Sequence, residues 1–111
     1  MKGTVKIGST EMGMVANAAS PYIYKQIFHE DFLQKLQEAQ PEPDIFQKMG
    51  YVMAKQYEMD KLSDLMKLTE DGFYEWLTGF EAMDIILATD EIAEIYLSQK
   101  KSTAVPKNEG E

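Results

Sequence analysis

The chain has 111 residues, and its 11 lysines and 19 acidic residues give it a net charge of −8, with no arginine and no cysteine. This length fits one domain, and the lack of cysteine excludes disulfides and thiolate metal sites. An acidic surface without arginine repels nucleic acid and anionic lipid. No apolar run approaches the roughly 20 residues of a membrane-spanning helix, and the first residues lack the apolar stretch of a signal peptide. We therefore expect a soluble intracellular protein that binds neither nucleic acid nor a membrane.

Residues 3–16 are predicted to form a β-hairpin. Val5 and Ile7 alternate with polar residues, which is the pattern of a half-buried strand. A Gly-Ser-Thr turn follows, and two methionines then restore the alternation. Because a two-stranded hairpin is marginal by itself in water, it must pack against the rest of the chain.

Residues 20–99 are predicted to be helical. Ser20 can cap a first helix and is followed by a proline, which suits a first helical turn. The apolar pattern breaks near residue 30, and two prolines then separate this region from a helix that Asp44 can cap. Gly50 lies inside the next helix despite its helix-weakening effect, which indicates close approach by another backbone.

The second half of the helical region carries further predictions. Residues 60–68 read either as a short helical turn or as an apolar loop. Thr69 can cap a helix with a dense apolar face, formed by Phe73, Trp76, Leu77 and Phe80. Residues 82–87 are apolar on most sides, so they are predicted to lie in the core. A last helix is expected to begin at Thr89 or Asp90.

Residues 100–111 are polar, aperiodic and interrupted by proline and glycine, so they are predicted to be disordered. The sequence as a whole predicts a mainly α protein with a short N-terminal β-hairpin and a disordered C-terminal tail. Residues 1–99 are expected to form a single domain.

Residues suited to catalysis or metal binding are scarce. His29 is the one histidine, and a single histidine provides neither a zinc site nor a catalytic triad. The adjacent carboxylates at 30–31 and 70–71 do not face each other on a helix, and they suit helix starts. The scattered glycines form no phosphate-binding loop. We therefore predict no enzyme activity, no cofactor and no metal.

The eight methionines and the 11% of aromatic residues are the unusual features of the composition. Most of these side chains are expected to fill the core. Methionine, however, adapts its shape and is frequent on surfaces that accept varied apolar partners, while tyrosine and tryptophan commonly anchor interfaces. A groove for a partner helix is therefore the alternative role for some of them.

Three segments together resemble the tail assembly chaperones of long-tailed, non-contractile phages and prophages. Residues 19–32 (ASPYIYKQIFHEDF) are similar to the opening helix of that family, and residues 49–56 (MGYVMAKQ) to its middle helix. Residues 73–81 (FYEWLTGFE) are similar to its Trp-Leu helix. The chain departs from the family pattern at Lys25, where arginine is usual, and at His29, where glycine is usual.

The resemblance implies a non-enzymatic assembly factor that coats the tape measure protein, which is long, helical and prone to aggregate before the tail tube forms around it. Such a factor works in the bacterial host cytoplasm and is absent from the mature virion. The family often makes a longer product by programmed frameshift, whose extra domain recruits tail tube subunits. We place a hypothetical frameshift position at Lys100 and Lys101, just past the last predicted helix.

The predicted contacts with the tape measure protein are large apolar side chains on the helices: Tyr24, Phe28, Met53, Tyr57, Trp76 and Phe80. Several of them are expected to belong to the core instead. Self-association is also expected, since exposed apolar faces on a small module favour it.

Three other functions stay open on the sequence alone. A structural tail or head–tail completion protein would remain in purified virions, whereas a chaperone would not. A small enzyme or regulator would need a polar pocket with perturbed carboxylates around His29. An acidic mimic of nucleic acid would need its carboxylates along one face, and here they are scattered among all segments.

Overall fold

The computed structural model describes residues 2–38, 40, 42 and 44–104, the last six of them by their backbone alone. In this part of the chain a β-hairpin precedes a set of helices, which confirms the predicted mainly α fold. The strands are β1 (Lys2–Ile7) and β2 (Thr10–Val15). The helices are α1 (Ser20–Phe28), α2 (Phe32–Leu36), α3 (Asp44–Glu58), α4 (Leu62–Leu65), α5 (Glu70–Leu77) and α6 (Ala82–Ala104).

The hairpin forms as the alternation predicts. β1 and β2 are antiparallel, with Val5 opposite Met12, and the turn passes through Gly8 at φ 65°. Glycine adopts this left-handed conformation without the steric cost that a side chain would add. Val5 and Ile7 are buried because this face of the hairpin packs on the two longest helices, with β1 against α6 and β2 against α3.

Helices α3 and α6 are the centre of the fold and pack against each other. Gly50 of α3 meets Ile92 of α6, whose Cδ1 would lie 2.9 Å from a β-carbon on residue 50. The glycine at this position predicted close approach by the backbone of another element. The neighbour is instead an isoleucine side chain, because α6 fills the space over the glycine with one branched residue.

The helix starts agree with the sequence in part. The Thr69 hydroxyl caps α5 by accepting from the Gly72 amide at 3.3 Å, as predicted. Ser20 does not cap α1, since Ala19 holds that position. Its hydroxyl donates to Gln56 Oε1 at 2.6 Å and accepts from the Asn17 amide at 3.0 Å. The serine therefore fastens the loop before α1 to α3.

The predicted break near residue 30 is present. His29 ends α1 in the left-handed conformation at φ 57°, and its amide donates to the Lys25 carbonyl at 2.8 Å. Asp31 then caps α2 by accepting from the Gln34 amide at 3.1 Å. The chain thus turns sharply between two short helices.

The predictions for α6 were wrong in two respects. Residues 82–104 form one helix, and the Thr89 hydroxyl donates to the Ile85 carbonyl inside it instead of beginning a new helix. Residues 82–87 are not all in the core, because Met83, Ile86 and Leu87 are exposed. Residues 100–104 of the predicted disordered tail continue this helix, and residues 105–111 lie outside the described residues.

Candidate functional site

The sequence-predicted contact residues fall into three groups by exposure. Tyr24, Phe28 and Met53 are buried in the core, and Trp76 and Phe80 are partly buried. Tyr57 is 54% exposed. The structure therefore does not bring these six side chains together on one surface, and the three core residues already have partners inside the chain.

Tyr24 and Phe28 belong to a compact polar and aromatic cluster between α1 and α3. The Tyr24 hydroxyl donates to Glu30 Oε2 at 2.6 Å, and Lys48 Nζ donates to the same oxygen at 3.3 Å. Lys48 also pairs with Asp44 at 3.5 Å and lies 5.3 Å from the centre of the Phe28 ring. Because each charged group has an opposite partner, this cluster acts as a brace between helices.

The pKa shifts in this cluster have clear physical causes. Burial raises the pKa of Tyr24 far above its usual value, and the hydrogen bond to Glu30 adds to the shift. Burial alone would raise the pKa of Glu30, but the Tyr24 hydrogen bond and the Lys48 charge lower it below its usual value. Burial would lower the pKa of Lys48, and the charges of Asp44 and Glu30 raise it instead. All three shifts favour a neutral Tyr24, a charged Glu30 and a charged Lys48, which are the states that these contacts require.

Trp76 of α5 and Phe80, just after α5, belong to a row of aromatic rings that begins at Tyr51 of α3. The Trp76 ring lies 5.5 Å from the Tyr51 ring and 5.1 Å from the Phe80 ring, centre to centre. Edge-to-face pairs at this distance stabilise packing beyond their buried area. This stack fixes α5 on α3, which accounts for the partial burial of both predicted contact residues.

Among the described residues, α6 carries more exposed large apolar side chains than any other helix. Met83, Ile86 and Leu87 are 60%, 51% and 71% exposed. Further along the helix, Asp90, Glu94 and Leu97 are exposed in the same direction, because spacings of three and four residues return to one side of a helix. We call this surface the outer face of α6 and define it by those residues: Met83, Ile86, Leu87, Asp90, Glu94 and Leu97.

The outer face of α6 contributes no buried residue to the core. The opposite side of the helix supplies the buried residues, which are Ile85, Ala88, Ile92 and Tyr96. A helix that is apolar on both sides is normally buried on both sides. Here one side packs on α3 and β1 while the other side faces solvent, so the outer face is available to another molecule.

The surroundings of the outer face are strongly acidic. Between residues 81 and 97 the sequence has five carboxylates, at positions 81, 84, 90, 91 and 94, and no basic residue. Glu91 accepts from the Lys6 amide at 3.4 Å and thereby protects the edge of β1. Among the described residues, the ion pairs use Lys35, Lys48 and Lys55, and none of them reaches α6.

A second exposed apolar surface lies where α1 meets α2. Tyr22 and Leu33 line a groove of about 360 Å³, together with Lys25 and Asp31. This surface has charges of both signs and lacks the repeated helical spacing of the outer face of α6. We call it the comparison surface.

His29 lies at the protein surface and not in an enclosed polar pocket. It is exposed and borders an open depression of about 390 Å³ shared with Gln26 and the segment 66–70. The described residues contain no group of three histidine or carboxylate side chains placed to hold a metal. Among those residues there is also no helix with the length and hydrophobicity to cross a membrane.

The signal for the outer face of α6 was present in the sequence. Residues 82–87 are apolar on most sides, a pattern that predicts burial in the core. The same pattern also fits a helix that packs one side into the core and exposes its other side to a partner. Periodicity cannot distinguish the two, since both place apolar residues on every side of the helix.

Comparison with known proteins gave no match to a protein-family model, to a curated protein or to a solved structure.

Proposed function

We propose that the protein is a phage or prophage tail assembly chaperone that binds the tape measure protein and keeps it soluble during tail morphogenesis. The observation that carries the proposal is the outer face of α6, where Met83, Ile86 and Leu87 face solvent on a helix whose other side already serves the core. The resemblance of three segments to that family supplies the biological role.

The chemistry of the surface suits this role. A tape measure protein of the resembled family is long and helical, and its apolar helix faces aggregate until the tail tube encloses them. An exposed row of methionine, isoleucine and leucine can cover such a face, and methionine adjusts to varied side chains. The net charge of −8 keeps a chain with exposed apolar side chains soluble.

The remaining parts of the proposal follow from the same role. The protein acts without catalysis, cofactor or metal, works in the bacterial host cytoplasm and leaves before the virion matures. It also self-associates. A longer product, made by frameshifting at the codons of Lys100 and Lys101, would recruit tail tube subunits. A repeated adenine run at those codons with an overlapping reading frame downstream supports this part, and its absence removes it.

Co-expression with the neighbouring long coiled-coil gene product tests the proposal. We expect that product to be soluble with the native chain and to aggregate without it. The double variant Ile86→Gln, Leu87→Gln should lose this effect, because it makes the outer face polar while keeping good helix formers. The control Tyr22→Gln, Leu33→Gln removes two apolar side chains from the comparison surface and should retain it.

Two results would count against the proposal. Equal solubility of the coiled-coil product with and without this chain would remove the chaperone function. Finding the chain in stoichiometric amounts in purified particles would instead favour a structural tail or head–tail completion protein.

A further inference from the structure

We propose that the outer face of α6 selects an amphipathic helix that carries basic side chains between two apolar contacts. The inference rests on the proposed function and specifies which segments of a partner the chain would bind. Its basis is the order of apolar and acidic residues along one side of α6.

The outer face has three zones along the helix axis. Met83, Ile86 and Leu87 form an apolar zone at one end, and Leu97 forms another at the far end. Asp90 and Glu94 lie between them and are exposed. From residue 83 to residue 97 the helix advances about 21 Å, which equals about four turns of a partner helix lying alongside.

The spacing of these residues fixes the partner pattern. Residues 83, 87, 90, 94 and 97 follow one another at intervals of four and three, which is the spacing of a helix–helix seam. A helix packed along this seam meets apolar, apolar, acidic, acidic and apolar positions in turn. The complementary partner therefore has apolar residues at its first, second and fifth seam positions, with lysine or arginine at the third and fourth.

Among the described side chains, the two carboxylates in the seam are paired with no cation. Among the described residues, no lysine pairs with Asp90 or Glu94, and the nearest lysines in the sequence of α6 are residues 100 and 101. A neutral or acidic helix on this surface would lose water around these carboxylates without gaining an opposite charge. Basic side chains at the facing positions would compensate them.

The same charges disfavour a second copy of this chain as the occupant. In a parallel pairing in register, Asp90 faces Asp90 and Glu94 faces Glu94. In an antiparallel pairing that matches Met83 with Leu97, Asp90 again faces Asp90. Like charges facing each other across an interface are unfavourable, so any self-association of the chain would use another surface.

Two synthetic helical peptides test the inference directly. Both carry leucine at the first, second and fifth seam positions, and they differ only at the third and fourth, which are lysine in one peptide and glutamate in the other. We expect the lysine peptide to bind the full chain at least about tenfold more tightly at low salt, since it replaces two repulsions with two attractions. Raising the salt to about 1 M, where screening acts over about 3 Å, should shrink the difference.

Matched variants assign the charge effect to this surface. Asp90→Asn with Glu94→Gln should abolish most of the preference for the lysine peptide. The control Asp60→Asn with Glu70→Gln removes the same charge from exposed positions off α6 and should retain the preference. Ile86→Gln with Leu87→Gln should weaken both peptides alike.

Three outcomes would overturn the inference: binding of both peptides with equal affinity, binding of neither, or an equal effect of the two charge-removing variants. These results leave the chaperone proposal to its own solubility test. If the native chain still solubilises the coiled-coil product but shows no preference for the lysine peptide, the charge selection is wrong and the function stands. If the preference is present but solubility is unaffected, the function is wrong and the docking chemistry stands.

Discussion

Gly50 of α3 and Ile92 of α6 fit together so closely that a β-carbon on residue 50 would lie 2.9 Å from Cδ1 of Ile92 and 3.3 Å from its Cγ2. This contact lies where the two central helices pack against each other. Ile92 is on the buried side of α6, and Met83 and Leu87 are on the exposed side.

Gly50→Ala is expected to destabilise the native chain by about 1 kcal/mol, because overpacking outweighs the gain in helix propensity. In an Ile92→Val background, which lacks Cδ1, the same substitution should be close to neutral or stabilising. Urea unfolding of the four proteins of this double-mutant cycle measures the coupling. An identical cost of Gly50→Ala in both backgrounds would mean that the contact with Ile92 Cδ1 is not the source of that cost.

Tyr24→Phe is expected to lower the free energy of unfolding by about 1.5–3 kcal/mol, since the hydroxyl donates to a charged carboxylate. The Glu30 carboxylate would keep Lys48 but lose its shortest hydrogen bond, which is 2.6 Å long. Tyr22→Phe provides a control at an exposed tyrosine and should change stability by no more than about 0.5 kcal/mol. Equal effects of the two substitutions in chemical denaturation would show that the brace contributes nothing.

The brace also predicts an acid dependence of stability. The pKa of Glu30 is lowered in the folded chain, so the unfolded chain binds the proton more readily as the pH falls. The contribution of Glu30 is therefore fully present above its unfolded pKa and is lost as the pH falls through its folded pKa. The stability difference between the native chain and Glu30→Gln, measured by urea unfolding, should shrink below about pH 4.5. A difference that stays constant down to pH 3 would contradict this.

His29→Gly is expected to stabilise the chain by about 1 kcal/mol. His29 ends α1 at φ 57°, a conformation that costs about 1–2 kcal/mol for a residue with a side chain and almost nothing for glycine. His29→Val should destabilise the chain, because a β-branched residue tolerates this conformation worst. Thermal unfolding measures whether each substitution raises or lowers the stability of the chain. Stabilisation by valine would contradict the explanation.

The sequence predicted the secondary-structure elements that are marked by residues close together in the chain. Alternation identified the hairpin, and a threonine in front of an apolar run identified the start of α5. The cap assigned to Ser20 was wrong because its hydroxyl bonds to Gln56, which lies 36 positions further along the chain. Local chemistry cannot indicate a partner at that distance.

The candidate site was harder to predict, for a related reason. Tyrosine often anchors interfaces, which favours Tyr24 as a contact residue, yet its hydroxyl has an acceptor inside the chain. The segment that holds Met83 and Leu87 is apolar on most sides, which predicts burial for both. Only the packing of α6 on α3 decides which of these apolar residues remain outside.

The central claim is that the outer face of α6 is covered by the tape measure protein. Hydroxyl-radical oxidation of the methionines tests it most directly, because Met83 is 60% exposed while Met14 and Met53 are fully buried and serve as internal controls. The account predicts that Met83 is oxidised readily in the free chain and is protected in the complex, while the buried methionines stay unreactive in both. Equal oxidation of Met83 in the free chain and in the complex would contradict it.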